Sequence, residues 1–362
     1  MASLRTTAFR VVKLSDQLLK HVPSIGSFRP LRGSFSACQQ LRADRRTGDI
    51  LFENQSTGPC PPDSITARCG MRQHDHQPWP VFWARTDEAR LVGQMLHWRD
   101  PLNRLCSEGV FHLHERRRLG EDRLFAQILV PKPKLLPGAW TSIASNWGNG
   151  GNYFHWITDC LTRLLVREYL PEPTRVLIPK SGAPFVRDSL DLLGLSADCE
   201  IREESCLQPE RFYFCSPTAM TGVWNPLGFD WLRKRFQPHF RPPGSGRPVF
   251  LTRRASTRVP EVLPEIERLF SSAGFDILDC GKLTMLEQIQ AASGASAITG
   301  LHGAAMTNIL WAAPRIPVLE LFEPAYLNAC YEQIAFQGKL DYSALVLEGD
   351  HPLEKINAWL KR

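Results

Sequence analysis

One stretch, residues 298–322, constrains the fold more strongly than any other part of the chain. Two apolar runs flank a glycine-rich turn and a helix-compatible segment over 304–312, which two prolines end. This order predicts strand, tight turn, helix and strand. In an open parallel sheet, ligands lie at the carboxyl ends of strands and against helix N-termini. We therefore expect His302 at one strand end and Glu320 at or near the next, although the pattern also suits a structural histidine and a solvated strand end.

The rest of the second half alternates short apolar runs with helical segments. The predicted strands are 249–252, 275–278 and 345–347, and the predicted helices are 263–273, 284–294 and 353–360. This alternation predicts a parallel, doubly wound domain over 248–345, followed by a strand and helix within 346–362. Arg253 and Arg258 follow the first strand, where a guanidinium can bind phosphate bidentately. The alternative is that both arginines are surface charges.

The first half shows the same alternation, and a proline- and glycine-rich stretch at 237–248 separates it from the second. The predicted strands are 124–130, 176–179 and 211–215, and the predicted helices are 185–193 and 228–236. We expect a Rossmann-like domain over 121–240. We expect residues 1–120 to form an irregular or β-containing region that completes this domain. The paired histidines in that region each lack a third and fourth ligand nearby, so we expect no metal site; they are His74/His76 and His112/His114.

A glycine-rich loop at 148–151 opens a helix that carries a polar stripe. Asn152 suits the N-cap, and His155, Asp159 and Arg163 follow at a spacing of four residues, on one face of the helix. A histidine and an aspartate in the first two turns beside such a loop indicate a cleft. The alternative is an ordinary ion pair between Asp159 and Arg163.

Composition narrows the function classes. The formal net charge of +6 on 362 residues is too small to indicate nucleic-acid binding but suits a phosphorylated ligand. Ten cysteines without zinc spacing indicate a reduced, cytoplasmic protein. No transmembrane run is present, and the loosely amphipathic residues 1–22 suit either a packing helix or a membrane-surface helix. The chain has no Gly-x-Gly-x-x-Gly after a first strand and no P-loop, which are common phosphate-binding motifs, and no Asp-x-Asp, the usual metal–diphosphate motif. If the ligand carries a diphosphate, its charge must therefore be neutralised by cationic side chains and helix N-termini.

Five segments, in this order, resemble glycosyltransferase family 61. They are NYFHWxxD from Asn152, TRRxxxR from Thr252, LxQI from Leu286, GxHGAxxTN from Gly300 and VLEL from Val318. The resemblance covers about residues 140–345 and fits the bacterial, capsular-polysaccharide type of member. It implies two Rossmann-like domains facing across a cleft (GT-B type) and inversion at the anomeric carbon. The chain departs from the family pattern at two places. The family's Asn-Glu pair is missing near Glu261, and Ala305 stands where the family has a glycine.

The resemblance also assigns residues to roles. A nucleotide-sugar donor, commonly UDP-linked, would be surrounded by Arg253, Arg258, His302, Gly303, Ala304 and Asn308. Glu320 would hydrogen-bond the ribose. His155 and Asp159 would face a glycan acceptor, with Asp159 the first choice of base and His155 the second, or its orienter.

We therefore expect a metal-independent transferase with no cofactor, located in the cytoplasm and open to peripheral association with the inner membrane. The alternatives are a non-catalytic carbohydrate-binding protein with a degenerate transferase fold and, less favoured, a nucleotide-sugar epimerase.

Overall fold

The computed structural model describes most of the chain from residue 34 onwards. The described residues are 34–43, 48–52, 65, 80–93, 95–109, 132–145, 151–178, 180–204, 206–219, 222, 224–254, 259–348 and 352–361. The predicted strand at 124–130, the loop at 148–150, the two histidine pairs and Arg258 lie outside these residues, as does the N-terminal amphipathic segment.

Within the described residues, the first sheet has ten strands. They are β1 (Ser34–Phe35), β2 (Gly48–Phe52), β3 (Val81–Thr86), β4 (Arg90–Val92), β5 (His97–Arg99), β6 (Leu105–Cys106), β7 (Lys134–Ser142), β8 (Arg175–Ile178), β9 (Cys199–Ile201) and β10 (Cys206–Cys215). The order is β1-β6-β5-β4-β10-β7-β8-β9, with β3 also beside β10 and β2 beside β3. The four strands β10, β7, β8 and β9 are parallel. Strands from the N-terminal region extend this parallel half, and β3 and β4 both pair with β10 in the antiparallel sense.

The part of the chain that the structure describes has five α-helices beside the first sheet. They are α1 (Ala37–Ala43), α2 (Tyr153–His155), α3 (Arg163–Arg167), α4 (Pro184–Leu192) and α5 (Pro226–Phe236). A π-helical turn, Trp156–Leu161, joins α2 to α3, and 3₁₀ turns lie at Ser107–Gly109 and Gln237–His239. The N-caps of α2 and α5 are asparagines whose side chains accept a backbone N–H, which satisfies one of the unpaired donors of each first turn.

The second sheet is entirely parallel. Its strands are β11 (Val249–Leu251), β12 (Asp276–Leu278), β13 (Ile298–Leu301), β14 (Pro317–Phe322) and β15 (Asp341–Val346), in the order β12-β11-β13-β14-β15. The strand order reverses between β11 and β13, and such a switch point is where doubly wound sheets bind ligands. Gly300 lies within β13, where a side chain would stand 2.8 Å from the carbonyl oxygen of Leu251. The predicted α/β architecture with parallel sheets is confirmed.

Helices cover both faces of this sheet. They are α6 (Leu263–Ser272), α7 (Met285–Gly294), α8 (Cys330–Gln337) and α9 (Pro352–Leu360), with 3₁₀ segments at Cys280–Lys282 and Ala304–Trp311. The segment predicted as a helix over 304–312 is therefore helical but of the narrower 3₁₀ type. Thr284 forms a capping box with Glu287 at the start of α7, which fixes this helix at the predicted residue.

A shared hydrophobic core joins the two sheets. It takes in residues of α2, the π turn, α5, α7, α8 and the 3₁₀ segment Ala304–Trp311. The ring of Trp311 packs 5.0 Å from that of Phe236, and the backbone N–H of Met285 donates to Asp188 of α4 at 3.1 Å. The helices that follow β8 and β10 therefore pack against the helical segments that follow β12 and β13. In the described part of the chain, no helix has the length and apolar character needed to cross a bilayer.

Candidate functional site

Arg253 and His302 come together at the switch point of the second sheet. Arg253 follows β11 and His302 follows β13, the two neighbouring strands between which the order reverses. The Nη1 of Arg253 donates to the backbone carbonyl of His302 at 2.5 Å. A side chain at Gly303 would lie 3.1 Å from the Nε of Arg253, so the absence of a Cβ there lets the guanidinium lie against the turn. Arg253, one of the two predicted cations, therefore lies beside His302 in the structure.

Backbone amides face the same turn. Gly303 has extended backbone, and the 3₁₀ segment begins at Ala304. Its first backbone hydrogen bond is donated by the N–H of Met306 to the carbonyl oxygen of Gly303 at 2.9 Å. The N–H groups before Met306, including that of Ala304, precede the first intrahelical bond, as at any helix N-terminus. They add partial positive charge beside Arg253 and His302.

His302 is held by a buried carboxylate. Its Nδ1 lies 2.5 Å from Oε1 of Glu320, and the hydroxyl of Tyr342 donates to Oε2 of the same carboxylate at 2.5 Å. Glu320 is fully buried. Burial raises the pKa of Glu320, and the hydrogen bonds from His302 and Tyr342 oppose that rise. Because Glu320 is buried and both its oxygens have protein partners, the geometry does not support the predicted contact with ribose.

Aromatic rings enclose the imidazole of His302. Phe322 stacks on it at 4.9 Å with an interplanar angle of 23°, and the rings of Tyr326 and Tyr331 lie at 5.3 Å and 5.2 Å. Tyr326 is 43% exposed, so it lies where the site opens to solvent. These contacts leave the imidazole little freedom to rotate.

Asn308 is a structural link rather than an open polar group. Its Nδ2 donates to Oε1 of Gln288 and to the carbonyl of Ala305, both at 3.0 Å, and its Oδ1 accepts from the hydroxyl of Tyr153 at 3.0 Å. Both N–H groups are therefore used inside the protein. The side chain of Asn308, predicted to contact the donor, instead ties the 3₁₀ segment to α7 and to α2.

His155 and Asp159 form a second histidine–carboxylate pair. His155 ends α2, Asp159 lies in the π turn, and Nδ1 of His155 is 2.8 Å from Oδ2 of Asp159. The other oxygen of Asp159 accepts from Thr158 at 2.6 Å. The side chain of Asp159 is 4% exposed and that of His155 is 20% exposed. Single π turns inside helices are frequent at functional sites.

Arg163, the third member of the predicted stripe, has a different role. Its Nε donates to the carbonyl of Cys215 at 2.9 Å and its Nη1 to that of Ala144 at 2.5 Å. These carbonyls follow β7 and end β10, which are adjacent parallel strands. Arg163 therefore ties α3 to the carboxyl edge of the first sheet. The spacing allowed an ion pair with Asp159, but these hydrogen bonds go to main-chain carbonyls instead.

Two rings connect the two histidine pairs. Phe154 contacts His155 at 5.1 Å and Tyr331 at 5.5 Å between ring centroids, and Tyr331 in turn contacts His302. The hydroxyl of Tyr153 reaches Asn308 from the same helix. The two sets of predicted residues, more than a hundred positions apart in the chain, thus border one aromatic cluster.

Sequence reasoning missed several residues of this site. Tyr342 and Tyr331 lie outside the predicted strands and helices, since the last strand was predicted at 345–347 and no helix was predicted over 330–337. Gln288 belonged to a motif without an assigned role. Across the described residues, no group of three or more His, Cys, Asp or Glu side chains could hold a metal ion.

Comparison with known proteins identifies the region that contains most of this site. Residues 153–319 match the family model described as Glycosyltransferase 61. This part of the chain therefore belongs to glycosyltransferase family 61, as the motifs predicted. The match includes both histidines and Arg253 and ends one residue before Glu320. No curated protein shows significant sequence similarity to the chain.

Proposed function

We propose that this glycosyltransferase family 61 protein is an inverting, metal-independent transferase with two facing lobes of the GT-B type. It moves a sugar from a nucleotide-sugar, in our proposal a UDP-sugar, to a hydroxyl of a glycan acceptor. The observation that supports this most strongly is the junction of Arg253, His302 and a helical N-terminus at the switch point of a parallel sheet. The pair His155–Asp159 lies across one aromatic cluster from it.

The donor side neutralises a leaving diphosphate with protein cations and dipoles. Arg253 supplies a fixed guanidinium, and the amides that begin with Ala304 supply N–H donors that need no rearrangement during the reaction. Arg258 remains a predicted second cation. The ring nitrogen of His302 that is not bonded to Glu320 accepts a hydrogen bond from a hydroxyl of the donor. In this proposal, the cations and the amides stabilise the negative charge of the leaving diphosphate without a metal ion.

The reaction is a single displacement. The acceptor oxygen forms a bond to the anomeric carbon as the bond from that carbon to the diphosphate oxygen breaks, and UDP leaves with the electron pair. The acceptor proton passes to a base. Asp159 was the sequence-based first choice, but it is almost wholly buried and both its oxygens are hydrogen-bonded. We therefore assign the proton transfer to Nε2 of the more exposed His155, with Asp159 orienting the ring through Nδ1.

The test is release of free UDP from a panel of UDP-sugars in the presence of EDTA. We expect slow release by the wild-type protein, and a fall of about 10²-fold or more in both His155→Gln and Asp159→Asn. His239→Gln is the matched control, since the ring of His239 hydrogen-bonds a main-chain carbonyl at the end of α4 and has no part in the proposed reaction.

Three outcomes would contradict the proposal in different ways. Binding of UDP without release of any nucleotide would favour the non-catalytic carbohydrate-binding alternative. Conversion of the sugar without free UDP would favour an epimerase. Unchanged UDP release in both variants would show that neither His155 nor Asp159 is the base. The capsular type of acceptor, the cytoplasmic location and peripheral membrane attachment remain predictions.

A further inference from the structure

Glu320 and three other side chains, those of His302, Phe322 and Tyr342, share one face of the second sheet. Register pairs Gly300 with Glu320, Glu320 with Ala344, and Val318 with Tyr342. Tyr342 is therefore a diagonal neighbour of Glu320 on the same face, and His302 and Phe322 continue that face at the strand ends. Three adjacent strands thus place a hydroxyl, a carboxylate and an imidazole in line.

The chemistry of this line fixes where the protons are. An ionised carboxylate only accepts hydrogen bonds, and a buried one is stable only when its oxygens are paired. Tyr342 donates to one oxygen, so the other oxygen must accept from Nδ1–H of His302. The ring nitrogen that remains for a ligand is then Nε2. The stacking of Phe322 prevents the ring from turning to exchange the two nitrogens.

We propose that Glu320 and Tyr342 are positioning residues that hold His302 with its proton on Nδ1, so that Nε2 accepts a hydrogen bond from a hydroxyl of the donor nucleotide. This inference rests on the proposed function for the identity of the ligand, but not for the state of the ring. It gives Glu320 a role different from a ribose contact. It also gives a role to Tyr342, which lies outside the region matched by the family.

Other charged or titratable groups near the imidazole do not replace this carboxylate. Those on the surrounding elements are Arg253 after β11, Tyr326 after β14, and Cys330, Tyr331 and Glu332 at the start of α8. Arg253 donates to the main-chain carbonyl of His302. Glu332 accepts from the backbone of Ile65 at 3.2 Å. Glu320 is the carboxylate with a described bond to the ring.

The first experiment reads the ring directly, without any donor. Nitrogen-15 spectra of histidine side chains distinguish the two neutral tautomers, and His302→Asn identifies the signal among the ten histidines of the chain. We expect the proton on Nδ1 in the wild-type protein, and a mixture of tautomers in Tyr342→Phe and Glu320→Gln. A wild-type ring with its proton on Nε2 would overturn the proposal even if neither variant folds.

The second experiment measures UDP affinity. Tyr342→Phe should weaken UDP binding about two- to tenfold, the usual effect of losing one hydrogen bond. Tyr213→Phe is a matched control, because Tyr213 donates to Glu172 at 2.5 Å on the other sheet. A loss equal to that of this control would overturn the role of Tyr342. Should UDP not bind at all while the tautomer is as expected, the proposed function fails and the positioning of His302 stands.

Discussion

Replacing Tyr153 by phenylalanine tests whether the two halves of the site are held together by the bond to Asn308. The hydroxyl of Tyr153 donates to Oδ1 of Asn308 at 3.0 Å, and both side chains are buried. The phenylalanine ring keeps the edge contact with Phe185, whose centroid lies 5.3 Å away. The change therefore removes one hydrogen bond and leaves a buried carbonyl oxygen without a donor. Such a loss costs about 1–3 kcal/mol.

The assay is urea unfolding, with UDP release measured on the same samples. We expect Tyr153→Phe to lower the free energy of unfolding by about 1–3 kcal/mol and to lower turnover, since α2 carries His155. In an Asn308→Ala background the same change should cost much less, with a coupling of about 0.5–3 kcal/mol. Tyr169→Phe is the control, because Tyr169 is 48% exposed and should shift stability by no more than about 0.5 kcal/mol.

One result would refute this reasoning. If Tyr153→Phe costs the same in both backgrounds, the hydroxyl and the amide do not interact in solution, and the two halves of the site are joined by apolar packing alone.

Two further predictions concern the glycine turn and a buried histidine. Gly303→Ala should push the Arg253 side chain aside and weaken UDP binding about three- to tenfold, whereas Gly182→Ala, which has open space around it, should not; equal affinities would show that the guanidinium does not bind the nucleotide. For His97, burial first and nearby arginines second lower the pKa from about 6.5 to about 3. The unfolded chain then binds a proton that the folded chain does not, so stability should fall as the pH drops below 6.5. Between pH 7 and 5 the loss should be about 2 kcal/mol, and His97→Phe should lack this part; identical pH profiles would contradict the assignment.

The sequence predicted the second sheet well because its signals are local. Apolar runs, the capping threonine at Thr284 and the glycine turn before Ala304 each act within a few residues. Arg253 and His302 could be placed together because all the strands of a parallel sheet end at the same edge. The 3₁₀ form of Ala304–Trp311 could not be predicted, because nearly all its side chains are buried and packing decides its geometry.

The roles of Asn308 and Glu320 depend on distant partners. Asn308 meets Tyr153, which lies 155 positions earlier, and Glu320 meets a tyrosine of the next strand. A motif shows that such a residue is polar but not whether its partner is a ligand or a side chain. The first sheet was difficult for the same reason, since β3 and β4 pair with β10, which lies far along the chain. The π turn at Asp159 also left no mark in the spacing of the polar stripe.

The central claim is that the carboxyl edge of the second sheet binds a nucleotide diphosphate without a metal. The most direct measurement is calorimetric titration of UDP into the wild-type protein and into Arg253→Ala, both in EDTA. We predict that the wild-type protein binds UDP and that the variant binds it at least about tenfold more weakly while staying folded, as expected for a lost charge-assisted hydrogen bond. Equal affinity in the two proteins, or binding by the wild type only when a divalent cation is added, would contradict the claim.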